Sequence, residues 1–236
     1  IWQILFWRSF FFNFKIILFL YLIYKQEAFL ILKKSGFPGV LGGVVMAIGF
    51  TAYVFAMSTT TVANVLFIIS TQTIWLALFG YLFLKEKISL KTFLSIILAM
   101  SGILVMVGGS LSTGSLFGNL VALFIPINFA FLILLIRKYS NLDLVPALFF
   151  GGLIIMFFSF FMTETIIISK HNLIVGFLLG SFQHAFGFVC IVIGARSTTA
   201  VVVGLLMLVE TLLGPFWVWV FLNEIPPMSV FIGGGI

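Results

Sequence analysis

Apolar stretches of about 20 residues recur along this 236-residue chain, each long enough to cross a hydrocarbon core of about 30 Å. They are read near 3–24, 36–57, 61–84, 89–109, 115–136, 144–163, 172–195 and 199–222. A ninth opens at about Pro227 and stops at Ile236, where ten residues of helix reach about 15 Å. In lipid the backbone must satisfy its own hydrogen bonds, so runs of this length imply membrane-spanning helices. With 63% hydrophobic and 8% charged residues, and no polar stretch large enough for a domain, a soluble fold is excluded. Because the chain opens on Ile1 and stops partway through a span, it is expected to be a fragment, lacking a helix in front and most of one behind.

The segment 49–86 reappears without a gap as 187–224. At this offset of 138, ten of 38 columns are identical, among them Gly49/Gly187, Phe50/Phe188, Thr60/Thr198, Thr61/Thr199, Thr73/Thr211 and Glu86/Glu224. A composition this apolar would match roughly three columns by chance, so the chain carries an internal duplication. Five crossings separate the copies, an odd number, so one copy is upside down relative to the other. Inverted repeats of this kind build secondary transporters.

Charge supports the same threading. Lys25, Lys33 and Lys34 share one connection, Lys85, Lys87 and Lys91 a second, Arg137 and Lys138 a third, and Arg196 a fourth. Threading eight spans puts all four on one side, with only Lys170 on the other. Nine basic residues against one is a strong positive-inside bias, so these connections are expected to be cytoplasmic. Tyr21 and Tyr24 then mark the inner edge of the first span, Trp2 and Trp7 its outer edge. Turn chemistry agrees: Ser89 is placed to N-cap the span that follows it, and Pro226-Pro227 to open the last. Gly39/Gly43, Gly114/Gly118 and Gly176/Gly180, with Gly49 and Gly187, read as close helix-packing positions.

Several function classes drop out. The basic excess is scattered over short connections with no basic face, which excludes nucleic acid as a partner. No phosphate-binding loop is present, so the chain does not pump with its own ATPase. Cys190 is alone, the only Asp is Asp143 in a connection, and the two His lie on different segments. No metal, cofactor or catalytic constellation is expected, and the chain is not read as an enzyme.

What remains is a set of polar groups at mid-span depth, where each is costly. Glu210 lies at the centre of 199–222 and its repeat partner Gln72 at the centre of 61–84. His184 is central in 172–195, Asn13 and Lys15 are near the centre of 3–24, and Asn128 follows Pro126 by two residues. Five of eight spans thus carry a polar group to one depth, as a solute-filled cavity requires. Glu210, the only carboxylate at a span centre, suits proton exchange or a cationic solute group. A structural pair with Lys15 or His184 is the competing reading. Lys15 suits an internal partner or an anion, and Tyr53, Trp75 and Trp217 are candidate cavity walls. Arg8, near an outer end, reads as an interface residue. Glu86 and Glu224 read as capping or connecting groups.

The stretch Ser58-Thr59-Thr60-Thr61-Val62-Ala63-Asn64, followed by Leu82-Phe83-Leu84-Lys85-Glu86-Lys87-Ile88-Ser89, resembles the fourth helix of the EamA-type branch of the drug/metabolite transporter superfamily. Glu210-Thr211-Leu212-Leu213-Gly214-Pro215 and Phe221-Leu222-Asn223-Glu224 resemble its ninth. Two features depart from the pattern: Pro215 stands five residues after Glu210 rather than next to it, and Gln72 stands where the family often has Pro. The resemblance implies an all-α polytopic membrane protein built as an inverted-repeat helical bundle. Its two five-helix halves would make ten helices at full length, eight complete plus one partial here, divided as 1–109 and 110–236. It further implies a multi-pass carrier of the bacterial inner membrane, moving small metabolites such as amino acids, or drugs, by alternating access. Proton coupling and oligomeric state, monomer or homodimer, stay open. A non-transporting receptor or assembly scaffold is the alternative reading.

Overall fold

A computed structural model describes residues 1–108, 115–223, 225 and 227–236. Among them are eleven α-helices and no strand: α1 (Trp2–Tyr24), α2 (Ala28–Thr59), α3 (Val62–Ser70), α4 (Gln72–Leu84), α5 (Leu90–Val107), α6 (Leu116–Lys138), α7 (Val145–Met162), α8 (Lys170–Leu178), α9 (Gly187–Ala195), α10 (Ala200–Leu222) and α11 (Met228–Gly235). Six helical stretches among the described residues are long and apolar enough to cross a membrane. One of these, Trp2–Thr59, runs two expected spans together, and α5 supplies a shorter apolar helix. Large apolar side chains turn outward; Phe157, Phe158, Phe160 and Phe161 of α7 are each more than half exposed, which suits a lipid-facing surface.

Helix ends follow local chemistry. The Thr61 hydroxyl accepts from the Asn64 amide to cap α3, Ser89 does the same for Thr92 in α5 as expected, and Ser169 for Asn172 in α8. Lys85 and Asn223, repeat partners at the offset of 138, end α4 and α10 in the same left-handed conformation, with φ of 55° and 56°. The duplication therefore extends to backbone geometry. Glu224 and Gly114 lie outside the described residues.

One expectation needs correction, and two expected spans carry local irregularities within them. The connection holding Lys25, Lys33 and Lys34 is helical rather than loose: a 3₁₀ turn over Lys25–Glu27 leads into α2, which breaks only at Gly36. There φ is +51°, which glycine alone adopts cheaply, and Pro38 cannot donate the next helical bond. The span 61–84 is two helices, because the Ser70 and Thr71 hydroxyls each donate to the carbonyl three residues back, at 2.6 Å, and tighten the turn. The span 172–195 widens into a π-helix over Leu179–Phe186 between α8 and α9.

The chain forms two compact units, residues 1–51 with 135–197 and residues 52–134 with 198–236. Each draws on both sides of the duplication. In the first unit α1 packs on α7; in the second α4 packs on α10 and α5 on α11. At the offset of 138 these are three pairs of repeat counterparts, and all three pairs run antiparallel. Gln3 Nε2 donates to the Thr165 carbonyl at 3.0 Å near one end of α1 and α7, while the Tyr24 hydroxyl donates to Asp143 at the other. Thr73 Oγ1 donates to the Gly204 carbonyl at 3.0 Å, and farther along the chain Glu86 accepts from the earlier Ala200 amide at 3.0 Å. In the third pair Gly102 faces Gly233, and the Ser229 hydroxyl donates to the Met106 carbonyl at 3.4 Å. Membrane-spanning counterparts that pack antiparallel are inverted copies, so the duplication is an inverted repeat.

Asp143 gathers three connections of the first unit. Its carboxylate accepts from Tyr24 and from the Val145 amide at 2.9 Å, and faces Arg196 at 4.0 Å. Arg196 also donates to the Ser140 carbonyl at 3.2 Å. The basic connections around Lys25, Lys138 and Arg196 thus share one end of this unit, as the threading requires.

Candidate functional site

In the second unit, mid-span polar groups lie beside a helix break or a proline within a helix. Gln72 is buried and opens α4 directly after the Ser70–Thr71 break. Asn128 is half-buried and lies two residues beyond Pro126, which cannot donate to the Ala122 carbonyl within α6. Glu210 lies one turn before Pro215, which likewise leaves the Thr211 carbonyl of α10 without its helical donor. Backbone acceptors freed at membrane depth are tolerated where they are buried in protein or line a cavity. A helix discontinuity such as the one between α3 and α4 forms the solute and ion sites of many carriers.

Glu210 itself is exposed. A carboxylate midway along a membrane helix is costly against lipid, so that surface is either wetted or faced by a protonated group. Trp217, two turns on, is 49% exposed. Tyr53 packs against a buried cluster of Ala56, Val65, Ala122 and Ile125 from α2, α3 and α6. Trp75 meets Phe79 edge-on within its own helix.

In the first unit, His184 sits inside the π-helix and is held by aromatic rings. Its ring centroid is 4.6 Å from that of Phe50 and 5.9 Å from that of Phe188, on which it stacks. Lys15 places its ammonium over Phe177 and Phe182, at 5.7 and 5.8 Å, so the expected internal partner is a pair of aromatic faces. Arg8 corrects its expected interface role. It is 8% exposed, lies over Phe50 at 5.9 Å, and lines a cavity of about 10 Å³ with Ser9, Phe12, Phe50, Ile155 and His184.

Around this cavity the first unit holds more buried polarity than its sequence suggested. Both amide atoms of Asn13, the Ser159 and Ser181 hydroxyls and His184 Nδ1 are buried without a hydrogen-bond partner among the described residues. Ser9, Ser159 and Ser181 drew no notice in the sequence, since lone hydroxyls in apolar runs usually bond to their own helix. The one available signal was the seven-residue spacing from Arg8 to Lys15, which puts two cations on one helix face.

The glycines mostly pack as expected. A β-carbon on Gly43 would lie 2.6 Å from Phe150 Cβ, Gly180 abuts the Arg8 carbonyl, and Gly118 abuts Thr59 and Thr60. Gly187 is a correction, since nothing among the described residues lies within 4 Å of a β-carbon placed there.

These features define an integral, multi-pass membrane protein of inverted-repeat transporter architecture. Residues 1–108 match the EamA-like transporter family. The chain is also 24% identical over 214 residues to an uncharacterized transporter from Clostridium kluyveri, covering 84% of this chain and 68% of that one. A solved crystal structure shares the fold with a TM-score of 0.84 at 14% identity, covering 99% of this chain and 83% of the other. Family match and relative together support a transporter of the drug/metabolite type.

Proposed function

We propose that the protein is a secondary carrier of small solutes, such as amino acids, related metabolites or drugs, that works by alternating access in a bacterial cytoplasmic membrane. The observation that carries this reading is the antiparallel packing of all three described pairs of repeat counterparts. When two inverted copies share one fold, exchanging their conformations converts an outward-facing state into an inward-facing one at small cost in free energy. A solute drives that exchange only through unequal affinity for the two states. Residues 1–109 and 110–236 are the two repeat halves in this scheme.

The solute and coupling groups are Glu210, Gln72, Asn128, Tyr53 and Trp217 in the second unit and His184 and Lys15 in the first. Glu210 is the coupling residue, because a mid-span carboxylate that is exposed can exchange a proton with a wetted surface. The test is solute uptake and counterflow in proteoliposomes, with and without a proton gradient. Glu210→Gln is expected to abolish gradient-driven accumulation while leaving solute exchange measurable. Unchanged accumulation in that variant removes Glu210 from the mechanism. No flux of any solute class would instead favour the receptor or scaffold reading.

A further inference from the structure

We infer that the connecting segment 25–35 is a docking surface for the headgroup of an anionic phospholipid in the cytoplasmic leaflet. This surface is independent of the carrier reading, because it concerns how the first unit meets the bilayer rather than what crosses it. Two backbone breaks set the segment apart from the spans on either side. Lys25 stands at φ 49° and ψ −121° after α1, and Gly36 at φ 51° and ψ −145° interrupts α2. Between these breaks the chain is helical and carries Lys25, Glu27, Lys33 and Lys34.

Charge sets the sign of the partner. Lys25, Lys33, Lys34 and Lys138 are exposed, and their side chains make no hydrogen bond, ion pair or ring contact among the described residues. Asp143, at the same end of the unit, is already engaged by Tyr24, the Val145 amide and Arg196. Glu27 is therefore the only uncommitted acidic group there against four lysines. Basic clusters directly cytoplasmic of a membrane span attract anionic headgroups, with roughly fivefold in affinity for each lysine at the surface.

Shape sets where the headgroup sits. An open groove of about 580 Å³ is lined by Tyr21, Leu22, Tyr24, Lys25, Gln26 and Glu27. Sites for small ligands span about 300–1,000 Å³, so a phosphate with its glycerol fits. Tyr21 and Leu22 offer apolar walls, the Lys25 ammonium and the Gln26 amide donate to phosphate oxygens, and Glu27 accepts from headgroup hydroxyls. Beyond the groove Phe29 is 77% exposed and Leu30 is exposed beside it. Lys33 follows Phe29, and Lys34 follows Leu30, at the four-residue spacing that shares a helix face. Such a face suits the membrane interface, where the ring reaches the acyl boundary and the ammonium stays among headgroups.

The inverted copy lacks these features. Its counterpart segment, 163–173, is not helical until Lys170, and Thr163, His171 and Asn172 stand where Lys25, Lys33 and Lys34 do. Joining two spans therefore needs neither the helix nor the charges.

The experiment adds phosphatidylglycerol, phosphatidylethanolamine or phosphatidylcholine to the purified protein in detergent and counts bound lipid by native mass spectrometry. Phosphatidylglycerol is expected to bind at least about tenfold more tightly than either zwitterion. Lys25→Gln, Lys33→Gln and Lys34→Gln combined should weaken it about tenfold or more. The same charge removed at Lys85, Lys87 and Lys91 should change it less than about twofold. Equal losses in the two triple variants mean that positive charge anywhere recruits the lipid, and overturn the inference. Equal binding of phosphatidylethanolamine also overturns it. So does displacement of the lipid by inorganic phosphate at the same concentration, which makes a free anion the occupant. If the first triple variant does not fold, Lys33→Gln and Lys34→Gln are read singly. Each is expected to lose about threefold or more, and unchanged affinity in both refutes the site.

Discussion

Replacing Glu86 by Ala should destabilise the second unit more than any other single change in its connections. Glu86 Oε2 accepts the Ala200 amide at 3.0 Å, the first helical donor of α10. The residue that would normally cap this helix, Thr199, makes no capping bond with its side chain, whereas its repeat partner Thr61 caps α3 itself. Glu86 therefore serves as the N-cap from a distant part of the chain. A hydrogen bond to a charged group contributes about 1.5–3 kcal/mol, and a carboxylate at a helix N-terminus about 0.3–1 kcal/mol more. Partial exposure trims both contributions, so the expected loss is about 2 kcal/mol, roughly a 30-fold change in the unfolding equilibrium. Glu86→Gln keeps an acceptor and gives up the charge, so about 1 kcal/mol is expected. Unfolding by sodium dodecyl sulfate in mixed micelles, followed by tryptophan fluorescence, measures both, with exposed Glu27→Ala as a control near zero. If Gln proves as damaging as Ala, or Ala costs under about 0.5 kcal/mol, the long-range cap is not what holds α10 in place.

Three further outcomes can be measured in the same assay. Gly43→Ala should cost about 1–3 kcal/mol, because the new methyl meets Phe150 Cβ at 2.6 Å and the Gly151 amide nitrogen at 2.8 Å and must part α2 from α7; Gly194→Ala, with open space around it, should be neutral or stabilising by up to about 1 kcal/mol. Asn13→Leu should hold stability constant or raise it by about 1–2 kcal/mol, since it removes two buried unpartnered amide atoms, while lowering solute flux if this polarity serves transport. Asp143→Ala should cost about 2–3 kcal/mol by releasing Tyr24, the Val145 amide and Arg196 together, and Tyr24→Phe about 1 kcal/mol; equal effects of the two would mean that Tyr24 carries the whole junction.

The spans and their inversion were legible because they depend on properties that sequence displays directly. Twenty-residue apolar runs, basic connections and a constant offset predicted where α1, α6, α7 and α10 lie to within a few residues. Ser89 read correctly as a cap because its role is local. The breaks were harder. Ser70 and Thr71 distort a helix only when their hydroxyls turn back to their own backbone, and nothing in the residue types dictates that. No composition signal marks a π-helix, so the sequence of Leu179–Phe186 reads as ordinary helix. Arg8 misled because its depth was judged along one helix, whereas its burial comes from α2 and the π-helix, far away in sequence. Gly187 departs in the opposite direction, since recurrence in the repeat implies a contact that its surroundings among the described residues do not provide.

Identical and divergent columns of the duplication divide along physical lines. Several identical columns are where the scaffold is tied: Thr61 caps α3, Thr73 bonds to Gly204, Glu86 caps α10, and Phe50 and Phe188 flank His184 from two sides. Each of these contacts holds a helix end or a wall in the copy where it is seen, while Thr199, the counterpart of Thr61, makes no such cap. The mid-span polar groups fall in divergent columns, with Gln72 opposite Glu210, His184 opposite Met46, Asn13 opposite Gly151 and Lys15 opposite Leu153. A polar side chain at that depth costs stability whichever copy carries it, so packing alone would favour apolar residues in both. Its presence in one copy only therefore needs a cause that is itself asymmetric, and a solute with two different ends is such a cause. On this argument, restoring symmetry by His184→Met should leave the fold standing and remove solute discrimination. Loss of the fold in that variant would return His184 to the scaffold.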